Sequence, residues 1–302
     1  MLKPPALEKG DKIGLIAPGE TIPRKTGELG ISVLSRMGWK PVHGQHVYER
    51  YGFLSGKDEQ RASDIHGFVR NPAVRGIFAM AGGSNANRLL PLLDWKAIRK
   101  NPKIWYGMSD VSTLLNAVYA KTGMAAFHGM SVLHLKHHDS VTQQFMRNAF
   151  SSEPVGQAHW HKTQVVKEGK CTGRLIGGNL ESVSNLLGTP YCPSWKNSLF
   201  FWEELKETNA EISRMLMNYK NAGVFDKING MIVGKLYHCM VRDKMSISQI
   251  LLDLTKEYDF PIVMNASFGH YCENMTIPIG VKSTLDTLQK QWKIIESGCR
   301  KA

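Results

Sequence analysis

The first 130 residues alternate short apolar runs with longer amphipathic segments, and this alternation constrains the fold more than any other feature. Apolar runs at 11–19, 75–83 and 103–107 each end in glycine, which is typical of buried strands that lead into loops. Amphipathic helices are predicted between them, one ending near Gly38 and another at 71–72. Strands that alternate with helices predict a parallel sheet with right-handed crossovers.

The character of the chain changes after about residue 135. Residues 136–168 are polar and rich in histidine and turn residues, which indicates a linker with edge strands. Short strands joined by helices follow, and they predict a second α/β domain with mixed strands. We therefore expect an N-terminal domain at 1–135, the linker at 136–168, and a C-terminal domain at 169–302.

Composition narrows the class of protein. The 302 residues suffice for one large domain or two of ordinary size, and 42% hydrophobic with 21% charged residues suits a packed globule. No apolar run approaches the roughly 20 residues that span a bilayer, and the N-terminus lacks the apolar region of a signal peptide. Five scattered cysteines without a CxxC pair indicate free thiols in a reducing cytoplasm. We expect no membrane partner.

The formal net charge of +12 raises the question of a nucleic-acid partner. Lysine and arginine are spread along the chain without a block of five or six, so a solvated basic surface is the favoured interpretation. No nucleic-acid partner is expected. The charge is compatible with an anionic substrate.

A serine lies where ligands bind in parallel sheets, outside the carboxyl ends of the strands. Ser109 stands between the strand at 103–107 and a helical pattern that starts at Val111. It could cap the helix, or it could be a nucleophile on a sharp strand–turn–helix connection. The local residues favour capping, because Val111 replaces the second glycine of a G-x-S-x-G elbow. Asp110 could also take the capping role.

Other strand ends supply possible partners. Gly82 and Gly83 precede Ser84, either as a tight turn before a helix cap or as a loop whose amide completes an oxyanion hole with an amide near Ser109. Glu203 and the adjacent glutamate end the apolar strand "SLFFW", where a carboxylate is either an ordinary surface group or the partner that orients a histidine.

His270 follows a glycine in a loop, where a single histidine is usually structural, but it could act with Ser109 and Glu203. The pairs 137–138 and 159/161 fall in polar segments and are interpreted as solvated histidines. No carboxylate–histidine spacing supports a catalytic zinc, and no metal is expected.

Six stretches, in this order, resemble the LD-carboxypeptidase family of serine peptidases, which includes murein tetrapeptide LD-carboxypeptidases and microcin C self-immunity peptidases. They extend from about residue 10 to residue 285: "GDKIGLIAPG", "GGSNANRLLPLLDW", "IWYGMSDVSTLLNAVYAKTG", "GRLIGGNLESVSNLLGTP", "LFFWEE" and "FGHYCENMTIPIG". The resemblance implies a Rossmann-like N-terminal domain, a smaller β-rich α/β C-terminal domain and a site between them. It also implies a homodimer, and we expect no cofactor.

The resemblance implies a Ser–Glu–His triad in that chain order. Ser109 in the G-x-S-D turn would be the nucleophile, and His270 the general base. Glu203 would orient the histidine, with Glu204 as the second choice of register. The amides of Gly83 and Asp110 would form the oxyanion hole. Further substrate contacts are expected from the following residues: Gly82, Ser84, Asn85 and Trp160.

Two substrate classes follow from the resemblance. "GGSNANRLLPLLDW" and "YAKTG" are similar to the immunity branch, which favours hydrolysis of an amide in a small peptide or an aminoacyl-nucleotide-like compound. The segment before "GRLIGGNL" is shorter than in that branch and offers only Trp160 to stack on a base. The alternative is a cytoplasmic murein tetrapeptide LD-carboxypeptidase. A small-ligand binding protein without catalysis is a more remote hypothesis.

Overall fold

Two β-sheets organise the chain. The computed structural model describes residues 1–137, 140–242, 244–270 and 273–302. The strands are β1 (Lys12–Ile16), β2 (Lys40–His43), β3 (Val74–Ala79), β4 (Ile104–Gly107), β5 (Ala126–His128), β6 (Gly156–Gln157), β7 (Gln164–Lys167), β8 (Lys170–Asn179), β9 (Ser198–Leu205), β10 (Ile228–Tyr237), β11 (Ile262–Met264), β12 (Ile277–Ile279), β13 (Lys282–Asp286) and β14 (Gln291–Ile294). The α-helices are α1 (Arg24–Arg36), α2 (Asp58–Arg70), α3 (Trp95–Lys100), α4 (Val111–Thr122), α5 (Ser140–Ala149), α6 (Leu180–Ser184), α7 (Asn209–Asn221) and α8 (Ile247–Leu254), and 3₁₀ helices lie at Ala86–Leu92 and Val132–His137.

The first sheet has the strand order β2-β1-β3-β4-β5-β12. Strands β1 to β5 are parallel, which confirms the predicted sheet, and β12 is antiparallel to β5. The central strands β3 and β4 are almost entirely buried, as expected for a parallel sheet with both faces covered. All five parallel strands direct their carboxyl ends, and the loops that follow, to one edge.

The second sheet has the order β6-β14-β13-β8-β9-β10-β11-β7. Strands β8 to β11 are parallel at its centre, and antiparallel strands flank them on both sides. This confirms the prediction of mixed strands. The apolar strand β9 is buried along seven of its eight residues and carries Glu203 near its carboxyl end.

The segment 136–168 only partly matches its predicted character. Strands β6 and β7 do lie at the two edges of the second sheet. Helix α5, however, was not expected: it buries Phe145 and Met146, and polar residues over the rest of its surface conceal this narrow apolar stripe in the sequence. His138 lies outside the described residues.

Residues near both ends of the chain lie with the first sheet. Strand β12 extends that sheet, and its Pro278 sits at the edge, where a missing N–H does least harm. Near the C-terminus, Arg300 exchanges backbone hydrogen bonds with Pro4 and Ala6. The domain boundaries at 135 and 169 stay a prediction. Strand β12 and the residues around Arg300 fall within the predicted C-terminal domain by number, but they lie with the first sheet.

Within the described ranges, no helix combines the length and the apolar character needed to cross a bilayer. The cysteines that the structure describes are free thiols: Cys171, Cys192, Cys239 and Cys299. Cys272 lies outside the described residues.

Helix α4 connects the two sheets through a buried polar contact. The Asn116 side-chain amide donates to the carbonyl of Gly177 in β8, at 2.8 Å. The N–H of Asn179 at the end of the same strand donates to Ser112 Oγ at 3.0 Å. These polar side chains are buried. Because α4 begins directly after Ser109, the contact sets the position of the serine relative to the second sheet.

Replacing Asn116 tests this contact. Asn116→Ala removes its hydrogen bond to Gly177 in β8 and its bond to the Ser112 carbonyl, and we expect a loss of about 1–3 kcal/mol in the free energy of unfolding measured with urea. The control, Gln144→Ala, removes an exposed side-chain bond within α5 and should change stability by less than about 0.5 kcal/mol. Equal effects of the two variants would contradict a structural role for the contact.

Candidate active site

Ser109 occupies a strained turn. Its φ of 61° lies in the left-handed region, which costs a residue with a Cβ roughly 1–2 kcal/mol. The turn follows β4 directly and leads into α4, so the side chain stands at the carboxyl edge of the first sheet, half-buried. A strained serine between a strand and a helix is the arrangement that exposes a nucleophile.

The interpretation of Asp110 as a helix cap is wrong. Asp110 occupies the N-cap position, but its side chain makes no capping hydrogen bond. Its carboxylate instead accepts the N–H of Ala86 at 2.6 Å, which ties the loop after β3 to the serine turn. Burial raises the pKa of Asp110 to about 6, although the bond to Ala86 and the charge of Arg61 oppose this increase.

Gly82 lies against the serine turn, and Gly83 follows it beside Glu20. A Cβ on Gly82 would approach the Cβ of Ser109 to 2.6 Å, so no larger residue fits there without a shift. Gly83 has a φ of 83°, and a Cβ on it would overlap the side chain of Glu20. The N–H groups of Gly83 and Asp110 donate no hydrogen bond to any residue that the structure describes. Both amides are therefore available to an oxyanion.

A buried ion pair lies at the carboxyl edge of the second sheet. His270 Nδ1 and Glu203 Oε2 are 2.7 Å apart, and the glutamate is fully buried. A carboxylate only accepts, so Nδ1 carries the proton and Nε2 is left as the basic nitrogen.

Each member of the pair changes the pKa of the other. Burial lowers the pKa of His270, but the Glu203 carboxylate outweighs it, and the net effect raises this pKa above its ordinary value. Burial raises the pKa of Glu203, but the charge and hydrogen bond of His270 outweigh it, so this pKa is lowered. The folded chain therefore favours the ionised pair.

Glu204 has different partners. Its carboxylate accepts the side-chain amide of Asn179 at 2.7 Å and the N–H groups of Glu181 and Leu205, each at 2.9 Å. These bonds anchor the start of α6. Burial, with a smaller contribution from the charge of Glu203, raises the pKa of Glu204 to about 7. Glu203 is therefore the glutamate that contacts the histidine.

His128 is a buried residue that the sequence interpretation missed. It ends β5 and pairs with Gly107, two residues before Ser109. Burial lowers the pKa of His128 to about 4; the charge of Glu203 opposes this decrease, and that of His270 adds to it. The histidine thus lies within electrostatic range of the ion pair while it adjoins the serine turn. The short apolar run at 124–127, directly before the histidine, was the available signal.

The structure brings the remaining predicted residues together only in part. No hydrogen bond joins Ser109 to His270 in the described ranges, and catalytic hydrogen bonds are often long in apo enzymes. Ser84 donates to Glu20 Oε1 at 2.9 Å and accepts from Asn85 at 2.8 Å. Trp160 is half-buried in a turn closed by a backbone bond and has no described contact with the serine. The roles of these residues stay predictions.

The other histidines singled out in the sequence lie at the surface. His137, His159 and His161 are exposed, as their polar segments predicted. Over the described part of the chain, no three histidine, cysteine, aspartate or glutamate side chains converge as a metal-binding group.

Comparison with known proteins supports one family over nearly the whole chain. Family models described as the LD-carboxypeptidase N-terminal and C-terminal domains match residues 13–129 and 172–285. A probable murein peptide carboxypeptidase of Bacillus subtilis is 31% identical, covering 98% of this chain and 95% of that protein. The microcin C7 self-immunity protein MccF of Escherichia coli is 29% identical, covering 96% and 94%.

Solved structures support the same family. The structure of MccF in complex with glutamyl sulfamoyl guanosine superposes with a TM-score of 0.91 at 26% identity, covering 99% of this chain and all of that one. The two-domain α/β fold class is thereby confirmed, and the chain is a peptidase. It belongs to the LD-carboxypeptidase family.

The strain at Ser109 predicts a difference in stability between two variants of this residue. Glycine adopts a positive φ without cost, whereas alanine retains the Cβ. We expect Ser109→Gly to be more stable than Ser109→Ala by about 1 kcal/mol in urea unfolding. Equal stability, or a more stable alanine variant, would show that the turn is not strained.

Substitutions of the two adjacent glutamates should affect activity and its pH dependence differently. Glu203→Gln removes the carboxylate that raises the pKa of His270, so kcat should fall by about 10²–10⁴. The base must be unprotonated, and activity is lost as the pH falls through its pKa. The acid limb of kcat/KM should therefore move to lower pH in this variant.

Glu204→Gln is the matched control. It leaves the Glu203–His270 bond in place and removes only the smaller contribution of the Glu204 charge to the pKa of His270, so the acid limb should move to lower pH by less than in Glu203→Gln. One acceptor at the start of α6 is lost, which should cost about 1–3 kcal/mol of stability. A shifted acid limb in Glu204→Gln but not in Glu203→Gln would reverse the assignment.

Proposed function

We propose that this peptidase is a serine hydrolase with the triad Ser109, Glu203 and His270. The observation that carries the proposal is the buried Glu203–His270 pair at one sheet edge, with a strained serine at the edge of the other sheet. The proposed roles follow from the chemistry of these side chains. A serine hydroxyl needs a base, and the base needs a partner that holds its tautomer.

In the proposed acylation step, Ser109 Oγ attacks the scissile carbonyl carbon while its proton moves to His270 Nε2. The carbonyl oxygen becomes an oxyanion that the N–H groups of Gly83 and Asp110 stabilise. Glu203 holds Nδ1–H and stabilises the imidazolium. The C–N bond then breaks, and Nε2 returns the proton to the leaving amine.

In the proposed deacylation step, water replaces the amine. His270 Nε2 takes a proton from the water, whose oxygen attacks the acyl carbon on Ser109. The second tetrahedral intermediate uses the same two amides, and its collapse returns the proton to Ser109 Oγ. The products are a carboxylic acid and an amine, and the enzyme is regenerated.

For the substrate, we favour an amide in a small peptide or an aminoacyl-nucleotide-like compound. This is supported by the likeness to MccF, whose solved structures include complexes with glutamyl sulfamoyl guanosine and aspartyl sulfamoyl adenosine. The second candidate is a murein tetrapeptide with a terminal D-residue. It is supported by the 31% identity to a probable murein peptide carboxypeptidase. Both reactions use the same triad.

We also propose a cytoplasmic homodimer. The location rests on the free thiols among the described cysteines, and the dimer rests on the family resemblance. Light scattering coupled to size-exclusion chromatography tests the dimer, which should have twice the 33.8 kDa mass of one chain.

A hydrolysis panel tests the function. Mass spectrometry should detect cleavage of either an aminoacyl sulfamoyl adenosine or a tetrapeptide with diaminopimelate followed by D-alanine. Ser109→Ala should stay folded and lose about 10³-fold or more in turnover. A chelator should have no effect on turnover. Unchanged turnover in Ser109→Ala would remove the triad assignment, and cleavage of neither compound would remove the substrate proposal.

A further inference from the structure

Glu20 lies beside the candidate oxyanion hole, and nothing in the proposed triad uses it. It follows β1 on the loop at the carboxyl edge of the first sheet. A Cβ built on Gly83 would lie 2.7 Å from Cγ and 2.9 Å from Cδ of Glu20. With standard bond lengths, this places the carboxyl carbon within about 6 Å of the Gly83 amide nitrogen.

The Glu20 carboxylate has a fixed position and an open oxygen. Its Oε1 accepts the Ser84 hydroxyl at 2.9 Å, and its backbone carbonyl accepts the Ser55 hydroxyl at 2.6 Å. The side chain is exposed, and no lysine, arginine or histidine in the described ranges forms an ion pair with it. Gly83 beside it is exposed too, so a ligand can reach both residues.

An unpaired carboxylate here opposes the reaction unless the substrate supplies a cation. Negative charge develops on the oxyanion held by Gly83, and a second negative charge near the same amide disfavours it. In an acyl group with a free α-amine, the ammonium nitrogen is bonded to the carbon next to the scissile carbonyl. That cation would lie between the oxyanion and the carboxylate.

Resting on the proposed function, we propose that Glu20 binds the free α-ammonium group of the acyl part of the substrate. The substrate class is then an α-aminoacyl compound with an unblocked amine. Compounds whose amine next to the scissile carbonyl is already in an amide bond, as in the interior of a peptide, lack this cation. Glu20 would therefore favour aminoacyl amides over longer peptides at the same catalytic site.

Binding to a catalytically silent protein tests this without turnover. In the Ser109→Ala background, titration calorimetry compares alanyl sulfamoyl adenosine with its lactyl analogue, in which a hydroxyl replaces the ammonium group. We expect the alanyl compound to bind at least about 10-fold more tightly, which corresponds to about 1.4 kcal/mol. Adding Glu20→Gln should remove that preference.

The matched control is Glu168→Gln. Glu168 is also exposed, and it follows Lys167, which pairs with Ile262 at the start of β11. It thus lies at the end of the second sheet opposite to Glu203, and its substitution should leave the preference unchanged. Equal affinity for the two ligands with Glu20 present would overturn the proposal, and so would a preference that persists in Glu20→Gln.

The hydrolysis panel separates this proposal from the proposed function. A preference that depends on Glu20, without cleavage of either test compound by the unsubstituted enzyme, would retain the ammonium site and reject the hydrolase. Cleavage that requires Ser109, with no effect of Glu20→Gln on the ligand preference, would retain the hydrolase and reject the ammonium site.

Discussion

The buried polar contact between α4 and β8 is the constraint on which the rest of the site depends. The Ser109 turn belongs to the first sheet, whereas Glu203 and His270 lie at the edge of the second. Apolar packing alone would tolerate sliding between the two, but hydrogen bonds from Asn116 and to Ser112 have directions and no water to replace them. They hold the start of α4 in one position against the strand beside Glu203.

Electrostatics and strain complete the arrangement. A fully buried Glu203 is stable as an anion because His270 accompanies it, and the same contact leaves the outer nitrogen of the histidine more basic than usual. Ser109 is held at a positive φ by its neighbours, and the carboxylate of Asp110 draws the glycine loop against it. The strained serine and the buried ion pair thus lie where a proton transfer and an oxyanion would need groups in fixed positions.

Much of the fold could be predicted from sequence because apolar runs that end in glycine mark buried parallel strands directly. The site was harder to predict. The residues alone left two roles open for Ser109, a helix cap or a nucleophile, and offered Glu203 and His270 only as possible partners; the family resemblance favoured the triad. Contacts such as Asp110 with Ala86 depend on how two loops meet in space, which no local pattern encodes. The same is true of His128, and helix α5 was missed because its apolar stripe is narrow.

The most direct test of the central claim is the site and rate of reaction with a fluorophosphonate, followed by peptide mass spectrometry. We predict a single adduct on Ser109. Its formation should slow strongly in His270→Ala, and its rate should fall as acid protonates the histidine. An adduct on another residue, or labelling of Ser109 at the same rate without His270, would contradict the claim that the serine and the ion pair form one site.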